Sequence, residues 1–119
     1  MFAMADLEVM VDRLLPDGRA VVINNSDEEV PLGTVFRSLQ SRRTHREGDR
    51  FWQEPLAAAE LVELEVSEIE SWRHPVASLG RGHNAAFRFV GVGGELLQSH
   101  LEHREKFVYV FLCSLPPAV

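Results

Sequence analysis

Ala59–Trp72 reads AELVELEVSEIESW, and its pattern decides the fold class. Val62, Leu64 and Val66 alternate with Glu63 and Glu65, the period of two that puts apolar side chains on one face of a strand and carboxylates on the other. The phase then slips: Ser67 and Glu68 interrupt, and apolar positions resume at Ile69 and Trp72. A bulge that re-aims a long, bent strand accounts for the slip, and a strand that changes face within its own length suits a small barrel.

Toward the N-terminus, Leu7, Val9 and Val11 share one face of a strand spanning 7–15, with Glu8, Met10 and Asp12 on the other. Pro16-Asp17-Gly18 is a turn, since proline presets one backbone angle and glycine accepts positive φ. A second strand over 19–24 completes a hairpin. The polar run NNSDEE separates it from PLGTVFRSLQ, where Thr34 to Phe36 favour a strand over a short helix. From Gln40 to Gln53 the chain is charged and without period, which predicts a long, mobile loop. Toward the C-terminus, the proline and glycines of 73–82 predict a turn, and NAAFRFV over 84–90 predicts a strand. Gly91 to Gly94 predict a break. Leu96, Leu97 and Leu101 then recur at helical spacing, so one short helix is expected near residues 95–105. FVYVFL is apolar on both parities, as in a strand buried on both faces, although an edge position that pairs two copies also fits. The tail from Ser114 to Val119 carries two prolines and is expected to fray. With no repeat, linker or low-complexity tract, the expectation is a single domain over 1–119. Its class is all-β and mainly antiparallel, a small barrel with one helix.

Bulk properties exclude several functions. The 119 residues form one domain with room for a core, 45% of them are hydrophobic, and the mean hydropathy is near zero. No apolar run approaches the ~20 residues of a membrane-spanning helix. MFAMADLEVM has no basic region and soon reaches Asp6 and Glu8, so no signal peptide is read and a cytoplasmic location is expected. The one cysteine, Cys113, rules out an internal disulfide and a thiolate-rich zinc cage, and its apolar neighbours make it a buried structural thiol. A net charge of -6 disfavours a phosphate backbone as main partner and favours a basic protein.

Gly18-Arg19 followed by Val21-Val22, then Leu32-Gly33-Thr34, then Ile69-Glu70-Ser71-Trp72, then Gly82-His83-Asn84 form a particular order of turns and strands. Over roughly Leu7 to Val90 that order resembles the second, β-barrel domain of translational GTPases of the elongation factor Tu type. The resemblance implies a barrel fold. In that family the barrel helps contact tRNA or a neighbouring domain. Here no GxxxxGK[ST] phosphate loop is present, so no GTPase activity carries over.

Candidate chemistry is sparse. His100 and His103 lie one helical turn apart, a spacing able to chelate a metal, but HExxH is absent and a solvated helix face is the plainer reading. Gly91-Val92-Gly93-Gly94 is too short for a dinucleotide loop and is followed by Glu95, which would repel a phosphate. With no GxSxG elbow or Cys-His signature, neither enzymatic activity nor a cofactor is expected. Arg42, Arg43 and Arg46 with Trp52 and Phe51 form the candidate nucleic-acid contact, opposed by Glu47, Asp49 and Glu54 in the same stretch. Glu63, Glu65, Glu68 and Glu70 are the candidate partner-binding residues, because like charges gathered on one strand face can meet a basic surface. The expected function is a non-enzymatic protein-binding module. One alternative is an immunity protein that neutralises a basic bacterial toxin; the other is a small metal-dependent enzyme using His100 and His103.

Overall fold

In the computed structural model, residues 6–118 are described; the first five residues of the segment read above against a signal peptide and the last residue of the tail lie outside them. The chain runs β1 (Glu8–Leu14), β2 (Ala20–Asn24), β3 (Val30–Pro31), β4 (Val35–Glu47), β5 (Arg50–Pro55), β6 (Glu60–Ser71), β7 (His74–Pro75), β8 (Ser78–Leu79), β9 (Asn84–Val92), α1 (Gly94–Glu102) and β10 (Val108–Cys113). Every strand pairing is antiparallel. The sheet order β4-β10-β1-β2-β9-β6 returns to β4 through a direct β4–β6 pairing, which closes a barrel. The small all-β barrel with one helix is therefore observed, and β10 is a central strand between β4 and β1 rather than an edge.

β6 follows the pattern of its sequence. Val62, Leu64, Val66 and Ile69 are buried, while Glu63, Glu65 and Glu68 are exposed. The register against β9 shifts between Val66 and Glu68, the bulge expected there. Beyond it, Trp72 does not rejoin the core: it is 90% exposed and, with Arg73, adopts positive φ in the turn into β7. The following stretch forms the short strands β7 and β8 in place of a plain turn. On the partner strand, Gly91 has φ of 128°, and a Cβ there would lie 2.0 Å from the Glu63 carbonyl oxygen. Only glycine lets β9 continue through this point, so the expected break at Gly91 is instead part of the strand.

A closed barrel can be entered only at its ends. Leu97 of α1 joins the core cluster, and α1 packs against β1 and β10, so it plugs one end. Near that end of β1, Arg104 donates to the Asp12 carbonyl. The other end of β1 is where β3 and β8 place Val30 and Leu79 in the same core. There the buried Asn24 amide donates to the Glu28 and Leu79 carbonyls and accepts from the Ser26 amide and hydroxyl, so a polar side chain closes this end with its hydrogen-bonding capacity met.

The largest departure from expectation is residues 40–53. No loop is present: β4 runs beyond the barrel and turns at Gly48-Asp49 into β5, forming a two-stranded arm. β4 thus pairs with β6 through its first half and β5 through its second. Phe51 and Trp52 lie on the arm, where Trp52 stacks on His45 at 5.3 Å.

Inside the barrel, Phe36, Phe87 and Phe89 meet edge to face. Phe36 is fully buried and pairs with Leu64 across the β4–β6 seam. Phe36→Ala is expected to lower unfolding free energy by about 3–5 kcal/mol, whereas Trp72→Ala should change it by less than about 0.5 kcal/mol. Urea unfolding of both variants checks the assignment of inner and outer positions.

Candidate functional site

Strand alternation, reset by the bulge after Val66, carries Glu63, Glu65, Glu68 and Glu70 to the outer side of β6, but the structure divides them. Glu68 accepts from Arg88 at 3.1 Å, and Glu70 pairs with Arg19 at 3.2 Å. Arg19 also binds Asp17 at 2.7 Å. Its backbone N–H and then its guanidinium hold the Asp17 carboxyl below the usual range, while the hydrogen bond to Asp17 raises the Arg19 pKa. Glu63 and Glu65 make no ion pair among the described residues.

These two carboxylates sit among apolar side chains. Val92 is the register partner of Glu63, and Val90 and Val35 flank Glu65 on either side. Leu61, two residues before Glu63, faces the same way. Leu61 and Val92 are each 72% exposed and Val90 is 49% exposed. Leu61, Glu63, Val92 and Arg37 border a shallow depression of about 280 Å³, and Val35, Glu65 and Val90 border a neighbouring one of about 230 Å³. The result is a mixed patch on the outside of the seam, with acidic groups set between uncovered aliphatic ones.

The basic candidates converge less well. Arg42, Arg43 and Arg46 all lie on β4, but successive strand residues point to opposite faces, so Arg43 is separated from Arg42 and Arg46. Each also has an intramolecular partner: Arg42 binds Glu8 at 2.7 Å and covers Phe111, Arg43 binds Glu105 at 2.8 Å, and Arg46 donates to the Gly48 carbonyl. One face of the Trp52 ring is stacked on His45, and the Arg50 guanidinium lies over the ring as well. A cationic stripe with a stacking platform, the arrangement that grips single-stranded nucleic acid, is not assembled by these residues.

His100 and His103 face different partners. His100 Nδ1 lies 2.6 Å from Ser41 Oγ, and its Nε2 lies 2.6 Å from Glu60 Oε2. His103 Nδ1 donates to the Ser99 carbonyl at 2.8 Å. Both nitrogens of His100 are thereby engaged, and no group of three His, Cys, Asp or Glu residues suited to a metal occurs among the described residues. Ser41, Glu60 and His100 instead line a groove of about 380 Å³ between the base of the arm, the segment after β5 and α1. Ser41 and Glu60 were not legible as site residues: they lie 59 and 40 positions from His100, and only barrel closure and the helical plug join them.

No family model, characterised protein or solved structure matches this chain. No helix among the described residues is long and apolar enough to cross a membrane.

Cys113 is half-buried, with its thiol near Asp6. Burial, then the Asp6 carboxylate, pushes its pKa up to about 11. An unfolded thiol ionises near ~8.5, so between these values the unfolded state loses a proton that the folded state keeps. Stability should therefore fall as pH rises through that window. Cys113→Ser is expected to flatten this decline in urea unfolding curves taken from pH 8 to about 10, and the native thiol should react with iodoacetamide far more slowly than the denatured one.

Proposed function

We propose that this barrel is a protein-binding module whose recognition surface is the outer face of the β4–β6–β9 seam. The observation that supports it is the pair Glu63 and Glu65, without an ion pair among the described residues and set between the exposed Leu61, Val90 and Val92. Exposed aliphatic side chains on an outer sheet face bring no benefit to the fold itself, and when grouped they mark interaction sites. Carboxylates among them select a partner that offers Lys or Arg between apolar residues, because a poorly matched charge left there on binding would be desolvated without compensation. Glu68 and Glu70, already paired with Arg88 and Arg19, frame this surface and contribute little attraction.

A basic toxin neutralised by an immunity protein and a basic component of the translation apparatus are two partners of this chemistry. The second accords with the segment order shared with elongation-factor barrels. Binding involves no reaction, and a cytoplasmic setting is part of the same proposal.

The test compares proteins captured from source-cell lysate by the wild type and by Glu63→Lys/Glu65→Lys. The proposal expects a basic partner whose affinity for the double variant is weaker by about tenfold or more, with Val92→Asp weakening it similarly. Equal capture by all three proteins would contradict it.

A further inference from the structure

The groove beside α1 holds a second arrangement, separate from the seam surface. β4 parts from β6 after Leu39 and, still paired with β10 as far as Arg43, runs on into the arm; the chain returns past Leu56, Ala57 and Ala58 before β6 begins at Glu60. The departing arm leaves a recess that α1 only partly covers. Ser41, His100 and Glu60 meet at its rim in an unbroken chain of hydrogen bonds, each 2.6 Å long.

With the imidazole neutral, chemistry sets the polarity of that chain. An ionised carboxylate only accepts hydrogen bonds, so Glu60 requires the proton of the neutral imidazole on Nε2. Nδ1 then carries the lone pair, and the Ser41 hydroxyl donates to it. This is the order of roles that activates a serine: a nucleophile on a base, and a base oriented by a third group. The ring is turned so that Nδ1 rather than Nε2 faces the serine, which leaves the roles unaltered because they depend on geometry and proton placement. His100 is only 25% exposed at its side chain, enough for access without leaving it freely mobile.

The remaining walls suit a small acyl group. Leu56, Ala57, Ala58 and Val108 provide an apolar side, and Arg104 lies on the same groove. One Arg104 nitrogen is pinned by the Asp12 carbonyl, and its other N–H groups make no hydrogen bond among the described residues. They are the donors available to a developing oxyanion.

We propose that Ser41 is a nucleophile activated by His100, with Glu60 as positioning residue, and that the groove hydrolyses short acyl esters. Ser41 Oγ attacks the ester carbonyl and its proton passes to His100 Nδ1. The tetrahedral adduct collapses, the carbon–alkoxide bond breaks, and the imidazolium returns the proton to the leaving alcohol. Water then attacks the acyl-serine with His100 as base, the Oγ–acyl bond breaks, and the serine hydroxyl regains its proton as the carboxylic acid departs. Ester and water give acid and alcohol, with no other reactant.

The test treats the full chain with a fluorophosphonate probe, maps the adduct by peptide mass, and follows p-nitrophenyl butyrate hydrolysis. A single adduct on Ser41 is expected, with hydrolysis lost in Ser41→Ala and lowered about 100-fold in His100→Gln. Glu60→Gln should lower kcat while KM stays unchanged. No adduct on Ser41 of the wild type overturns the proposal, whether or not any variant folds. So does hydrolysis by folded Ser41→Ala at the wild-type rate. Lower melting temperatures in the variants without an adduct would show that the three residues only fasten α1 to the barrel.

Discussion

The pairing of β4 with β6 is the constraint on which the other features depend. Without it the strands would form an open sheet with two long edges, and unpaired edges invite association with other chains. The seam is made by a few specific bonds. The Val66 amide donates to the Thr34 carbonyl, and the Gly33 amide donates to the Val66 carbonyl, each at 2.9 Å. Both strands bend to meet: β4 shifts register between Phe36 and Ser38, and β6 shifts against β9 between Val66 and Glu68. Such irregularities increase local twist and let a few strands curl into a ring.

Closure also explains where the candidate surfaces lie. It fixes an inside, filled by Phe36, Leu64, Phe87 and their neighbours, and an outside on which alternate residues must appear. Glu63 and Glu65 are on the outside because Val62, Leu64 and Val66 are inside. Because β6 occupies only the first half of β4's free side, the second half is left to pair with β5 as an arm. That divergence opens the groove in which Ser41 and Glu60 approach His100.

Much of the fold was readable because its strands are half-buried. β1, β6 and β9 carry apolar residues at alternate positions, β2 follows the Pro16-Asp17-Gly18 turn, and α1 shows its leucines at helical spacing. The arm escaped detection for the opposite reason. Residues of β5 are exposed throughout, so no apolar alternation marks it, and the signal that remained was Gly48-Asp49 between two charged runs. Trp72 misled in another way: hydrophobicity predicts burial only when the backbone stays in register, and positive φ at Trp72 ends the strand. Of the candidate residues, Glu63 and Glu65 could be placed on one face from period alone, whereas Glu68 and Glu70 join that face only through the bulge after Val66. Their division into paired and unpaired carboxylates depended on Arg19 and Arg88, which are distant in sequence. The Ser41–His100–Glu60 chain had no local signature at all.

The most direct measurement is amide hydrogen exchange resolved by NMR, together with cross-strand proton contacts. Closure predicts contacts between Phe36 and Leu64 and between Val35 and Glu65, and it predicts a Val66 amide protected as strongly as the amides joining β1 to β10. A Val66 amide that exchanges like an exposed edge, with no contact between β4 and β6, would mean that the sheet is open and that the outer face assigned to Glu63 and Glu65 does not exist as described.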